Sequence, residues 1–245
     1  MLNSLVALML LFVCCTDTVA QDAYRATYKL AVGPLTVGKM ERTFNIQPDG
    51  AYRFESRLKA TGLTSLIRKD ALIETSAGIF QAGKFYPNIY THVRKNKKKP
   101  RNIHMHFNQE NASIETVING ERLSSPLREN LLDKLVYQAA IMHDLSKGET
   151  ELRYVIADRG KEKTYKSVFG EQTVIKTKLG RYETVEIIRQ RENDKRRTIF
   201  WCAPDLGYLP VQVSYREKDG TETIALLTAY QRLNGDGLTH AHFPD

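Results

Sequence analysis

The densest cluster of chemistry-bearing residues is Arg94-Lys95-Asn96-Lys97-Lys98-Lys99-Pro100-Arg101, in which every residue except Asn96 and Pro100 is a cation. Beside an anionic membrane each of Arg94, Lys95, Lys97, Lys98, Lys99 and Arg101 would contribute up to about 1 kcal/mol. The run therefore reads as an anion- or envelope-surface-binding loop, opposed by salt screening and self-repulsion. The alternative is a solvated loop whose charges keep a hairpin tip soluble. A second basic stretch, Arg189 to Arg197, contains Glu192 and Asp194 and reads as a tip that pairs internally. No aromatic side chain is interleaved with the first run, which argues against stacking on nucleic acid.

Other reactive types are sparse. His104 and His106 point to one side of a strand, and His240 and His242 repeat that spacing near the end of the chain. A metal site needs three or four convergent ligands, and the pattern supplies no third, so these imidazoles are expected to be exposed and no metal is expected. His143-Asp144 has the composition of a base and its orienter, but adjacent helical positions do not face each other. No phosphate loop, nucleophile elbow, paired Cys-x-x-Cys or HExxH is present, so no cofactor and no catalytic residue is assigned.

The elements that must position these groups begin with a targeting signal. Leu5 to Cys15 is an uninterrupted apolar run, too short to span a bilayer as a helix, and Thr18-Val19-Ala20 places a cleavage site before Gln21. No Lys or Arg precedes the run, which departs from the usual pattern. Lipoprotein processing at Cys14 or Cys15 would need small residues before the cysteine, where Phe12-Val13 stand. Residues 1–20 are thus read as a signal peptide, and the expected compartment is the periplasm. The mature chain then keeps Cys202 alone, which excludes an intramolecular disulfide and leaves the fold to its core. The thiol between Trp201 and Ala203 is expected to be buried and inert. A formal charge of +8 favours anionic partners without identifying one.

From Tyr24 the apolar pattern has a period of two. Tyr24, Ala26, Tyr28 and Leu30 alternate with polar residues, and similar runs follow near 37–46 and 52–60, joined by Pro48-Asp49-Gly50. Asn119-Gly120 is the strongest hairpin signal. One helix is expected over about 125–147, with Ser125 as N-cap, Pro126 in the first turn and Gly148 beyond the end. Its buried stripe would be Leu127, Leu131, Leu135, Ala139 and Met142, with Leu132, Val136 and Leu145 beside it. Further strands are read over 151–232, separated by turns that include Gly170 and Gly180. Short, evenly spaced strands imply a mainly β fold, an antiparallel meander closing into a barrel or strongly curved sheet around one central helix. Residues 21–233 are expected to form a single β domain, with 234–245 as a flexible tail.

Gly33-Pro34-Leu35 through Gly38, Asp49-Gly50-Ala51-Tyr52, Phe85-Tyr86-Pro87, Lys178-Leu179-Gly180 and Trp201-Cys202-Ala203-Pro204 with Leu209-Pro210-Val211 follow one another in a telling order. In that order they resemble the bacterial exported proteins grouped as domain of unknown function 3108, over about residues 24–232. The resemblance implies a predominantly β, secreted or periplasmic protein of Gram-negative bacteria. It carries no activity and no catalytic residues.

The leading expectation is a periplasmic binding or envelope-maintenance protein whose barrel or curved sheet shelters an apolar or amphipathic ligand, because barrel mouths are favoured ligand sites. Its partners would be a lipid-like small molecule or an anionic envelope surface, and not nucleic acid. A ligand-free adaptor acting through its basic surface and an enzyme with an unrecognised site are the alternatives. A large apolar cavity would favour the first reading and a packed interior the adaptor. Oligomeric state is not legible.

Overall fold

In a computed structural model of the protein, the structure describes residues 22–61, 71–95, 100–190 and 196–233. The expected signal segment, the Lys97–Lys99 stretch of the first basic run, residues 191–195 of the second and the histidines of the tail lie outside these residues.

The described strands form one 15-stranded sheet. The first half comprises β1 (Tyr24–Val32), β2 (Leu35–Ile46), β3 (Ala51–Ala60), β4 (Ala71–Gln81), β5 (Lys84–Lys95), β6 (Arg101–Asn108), β7 (Ser113–Ile118) and β8 (Glu121–Pro126). A two-residue strand, β9 (Leu131–Leu132), and helix α1 (Tyr137–Ser146) follow. The second half comprises β10 (Leu152–Asp158), β11 (Lys161–Thr177), β12 (Gly180–Gln190), β13 (Arg197–Ala203), β14 (Leu209–Arg216) and β15 (Glu222–Arg232). Each strand pairs antiparallel with its neighbour in sequence, and β1 pairs with β15, so two meanders join at the chain ends. The exception is β9, which runs parallel to β10. The sheet does not close: β8 and β9 are its two edges.

The period of two explains the curl. On β1 the buried set is Tyr24, Ala26, Tyr28 and Leu30, and on β2 it continues through Met40 and Phe44. On most strands one face thus carries the core, and a twisted sheet with one apolar face buries it by wrapping. Asn119 and Gly120 both take positive φ, 51° and 97°, as a two-residue hairpin turn requires. The interior is filled at one end by α1, whose Tyr137, Ala139, Ala140, Ile141, Met142, His143 and Leu145 are all buried.

The helix is shorter than the expected span of about 125–147. Ser125 and Pro126 end strand β8, Asn130 adopts a left-handed φ of 59°, and Leu131-Leu132 pairs with Val155-Ile156. Asp133 orders the turn that leads into the helix: its Oδ1 accepts the backbone N–H of Leu135 at 2.7 Å and of Val136 at 2.9 Å. The leucine spacing misled because this segment crosses the interior. Leu131, Leu132, Leu135 and Val136 are buried whether or not the backbone is helical. Gly170, read as a turn, lies inside β11, where the Glu186 side chain packs against it so closely that a Cβ would sit 2.8 Å from Glu186 Cδ.

Candidate functional site

The turns at 33–34, 119–120 and 159–160 share one end of the barrel with the ends of β3, β5 and β12. Helix α1 fills the other end, where His143 packs edge-on against Phe80 at 4.9 Å between ring centroids. Between them the inner face is layered. The layer nearest the helix is aromatic: Tyr24, Phe44, Phe54, Tyr52 and Phe85 stack or meet edge to face at 5.2–6.4 Å.

The next layer is polar, and pairing builds it strand by strand. Arg42 stands opposite Ser56, Ser56 opposite Glu74, and Glu74 opposite His92, so four adjacent strands carry a polar row. Glu74 accepts from the Tyr90 hydroxyl at 2.6 Å and lies 3.2 Å from His92 Nδ1. Burial opposes its charge, but the hydrogen bonds from His92 and Tyr90 win and hold Glu74 below the usual carboxylate range. Beneath this row Ser76 donates to Asp133 Oδ2 at 2.5 Å, and Tyr52 completes the chain to Ser76 at 3.2 Å. Asp133 is wholly buried, and desolvation raises its carboxyl to about 6 despite those bonds.

The opposite wall carries cations. Arg189 donates to the Tyr137 hydroxyl at 2.9 Å and to Thr198 Oγ1 at 2.6 Å, and lies 4.5 Å from the centroid of Tyr165. This residue of the second basic stretch is therefore an interior brace and not part of an exposed tip. Asp158, buried, gathers Lys134 at 2.6 Å, Arg159 at 3.2 Å and Lys163.

The seam between the sheet edges holds a cleft of about 390 Å³. Met105, Ile114, Pro126, Leu131 and Ala157 line its apolar part, and Arg128, Lys161 and Glu162 its polar part. Arg128 bonds Glu162 at 3.1 Å and so ties the chain beyond β8 to β11. Leu123 on edge strand β8 reaches the β10–β11 turn, where a Cβ added to Gly160 would lie 3.3 Å from its Cδ1. A smaller hollow of about 100 Å³ adjoins, sharing Leu131 and Arg128.

The residues expected to bind an anionic surface are divided by the structure. β5 and β6 form the hairpin the sequence implies, with Arg94 directly opposite Arg101. Alternation puts Arg94 on the face of Tyr90 and His92, and Arg101 on the face of Ile103, so both belong to the inner face near the end opposite α1. Lys95 falls on the opposite face, and Lys97, Lys98 and Lys99 lie outside the described residues. His104 and His106 are exposed on the outer face of β6, with Met105 between them turned inward. Among the described residues no group of three or more His, Cys, Asp or Glu is placed to hold a metal. Cys202 is free and fully buried, and burial pushes its thiol well above the usual range.

Sheet, plug and seam define the class: a split β-barrel, stoppered by a helix, with a polar inner layer. The chain belongs to the family described as "Protein of unknown function (DUF3108)", whose profile matches residues 23–227. It is similar in structure to a β-barrel-like protein of domain of unknown function DUF1849 from Brucella abortus, known from a crystal structure. That likeness has a TM-score of 0.59 at 11% sequence identity and covers 87% of this chain and 98% of the other. At such identity it is the fold that is shared. No curated protein matches the chain.

Proposed function

We propose that this is an exported periplasmic binding protein that holds an amphipathic, lipid-like molecule, with the apolar part of the ligand in the seam cleft. One observation carries the reading. Where the sheet fails to close, Met105 and Ile114, each 1% exposed overall, border a cleft whose volume falls within the range of small-molecule sites. A barrel built only to fill itself would close that gap with side chains, because interiors pack to crystal-like density. Arg128, Lys161 and Glu162 supply a polar margin beside the apolar floor, the pairing an amphiphile needs. Arg94 and Arg101, at the end opposite α1, add positive charge that would favour an acidic ligand or an anionic envelope surface.

The test is displacement of a fluorescent fatty-acid probe, compared between the wild type and Ala157→Phe, which places a ring in the cleft. Saturable probe binding that weakens by about tenfold or more in the variant, the loss expected when an anchoring contact is removed, supports the reading. Absence of saturable binding in the wild type, or undiminished binding in a folded variant, contradicts it.

A further inference from the structure

The barrel interior contains an arginine with no counter-charge. Arg42 faces inward from β2, is 9% exposed, and holds its guanidinium 5.6 Å from the centroid of the fully buried Tyr28 ring. Its Nε is buried without a hydrogen-bond partner. Among the described residues no carboxylate forms an ion pair with it. Its register neighbours are Ala26 on one side and Ser56 on the other. Glu74, one strand further, is already engaged by Tyr90 and His92.

Leaving such a group in place is costly. The Tyr28 side chain hydrogen-bonds the guanidinium and offers it a ring face, but both contacts are neutral and neither supplies the opposite charge that a buried cation lacks. The two other buried charges nearby are treated differently: Asp158 has three cations, and Asp133 has three hydrogen bonds. Arg42 has no ion pair with a described carboxylate, and its Nε has no hydrogen-bond partner.

The approach to it is also built. In the next register row away from α1, Met40 pairs with Leu58, Leu58 with Leu72, Leu72 with Arg94, and Arg94 with Arg101. Exposure climbs along the inner face in the same direction. On β3 Phe54 and Ser56 are buried and Leu58 half-buried; on β5 Tyr90 is buried, His92 half-buried and Arg94 exposed. An apolar ledge with a cationic rim therefore leads from the end opposite α1 toward a buried guanidinium.

We infer that Arg42 is an anion-binding residue, whose occupant is a carboxylate or phosphate group reaching the interior from the end opposite α1. Ser56 offers a hydroxyl beside it, and a chain attached to the anion would lie over Met40, Leu58 and Leu72. The site is on β2–β4, apart from the seam between β8 and β10–β11, and does not rest on the seam reading. Guanidinium suits such an occupant because its fork matches the geometry of carboxylate and phosphate oxygens.

The experiment is isothermal calorimetry and thermal unfolding of the purified protein with laurate, 1-dodecanol, acetate and inorganic phosphate, for the wild type, Arg42→Met and Arg42→Lys. The wild type should bind laurate about tenfold or more tighter than dodecanol, the increment of a charge-assisted hydrogen bond. Arg42→Met should lose that preference while melting at a higher temperature than the wild type without ligand, since the uncompensated charge is gone. Arg42→Lys should retain the preference in weakened form. Binding of acetate or phosphate that depends on Arg42 assigns the site to free anions; dependence with laurate alone assigns it to the head of an amphiphile. Equal binding of laurate and dodecanol by the wild type overturns the inference, as does a preference that survives in Arg42→Met. Loss of thermal stability in both variants without ligand overturns it too, because Arg42 would then be a structural group. A failure here with probe binding intact at the seam leaves the proposed function standing.

Discussion

Stapling the seam is the sharpest mechanical test of the split barrel. A Cβ built on Gly160 lies 3.8 Å from the Cβ of Leu123, the mean separation across a disulfide. The double variant Leu123→Cys, Gly160→Cys should therefore oxidise across the gap between β8 and the β10–β11 turn. Closing the chain from residue 123 to residue 160 removes denatured-state entropy worth about 4 kcal/mol at 25 °C. Gly160 has a φ of 72°, and a side chain in that left-handed conformation costs about 1 kcal/mol. The net gain is about 3 kcal/mol, or roughly 6–12 °C in Tm for a domain of this size. Cys202 should not compete, because it is fully buried. The assay is thermal unfolding with and without reductant, alongside peptide mapping of the 123–160 link and stopped-flow uptake of a fluorescent fatty acid. The oxidised form should melt higher and take up the probe more slowly, since the cleft edges can no longer part, and reductant should reverse both effects. Failure of the link to form under mild oxidation would show that the edges do not approach as described. A link that forms and stabilises while leaving uptake unchanged would show that the seam is not the route.

Three further outcomes follow from the interior. Asp133→Asn keeps the acceptor that orders the turn before α1 and removes a charge whose native pKa stands at about 6 against an ordinary value of 3.8. An acid raised by folding makes the native state bind the extra proton, so wild-type stability falls as pH rises from about 4 to about 6. Urea unfolding should find the variant more stable by up to about 3 kcal/mol at pH 7 and equal to the wild type below pH 4. Tyr90→Phe removes one of the hydrogen bonds that hold Glu74 ionised. It should cost about 1–3 kcal/mol at neutral pH, and this loss should shrink as the pH falls through the depressed pKa of Glu74, where the stabilisation from its charge disappears. Cys202 should resist thiol reagents in the native protein and react only on unfolding, as rates of labelling in rising urea would report.

Strand content and connectivity were legible because alternation and turn chemistry are local. Tyr24 to Leu30 and the Asn119-Gly120 turn needed nothing beyond their own neighbourhood. The start of α1 was not legible, since an i, i+4 leucine spacing looks the same in a helix and in a chain threading an apolar interior. Only Asn130 and Asp133, a left-handed residue and a carboxylate that orders the turn before the helix, mark the change. The open seam is a long-range property, set by where β8 and β9 end in space. The polar row left a signal that went unused. Arg42 falls between Met40 and Phe44 on the apolar phase of its strand, and Glu74 between Leu72 and Ser76. A charge on the inward phase of an alternating strand points to an interior site more directly than a basic loop. Arg94 and Arg101 became interesting for the same reason, their phase, and not for their place in a run of cations.

The central claim is that the barrel carries a lipid-like molecule in the periplasm. Native mass spectrometry of the protein released by osmotic shock tests it most directly. The account predicts a chain beginning at Gln21 with a retained adduct that dissociates under collisional activation and is identified as an amphiphile in the organic extract. A protein that stays with the cytoplasmic fraction, or one that emerges bare and takes up no fatty-acid probe, would contradict it.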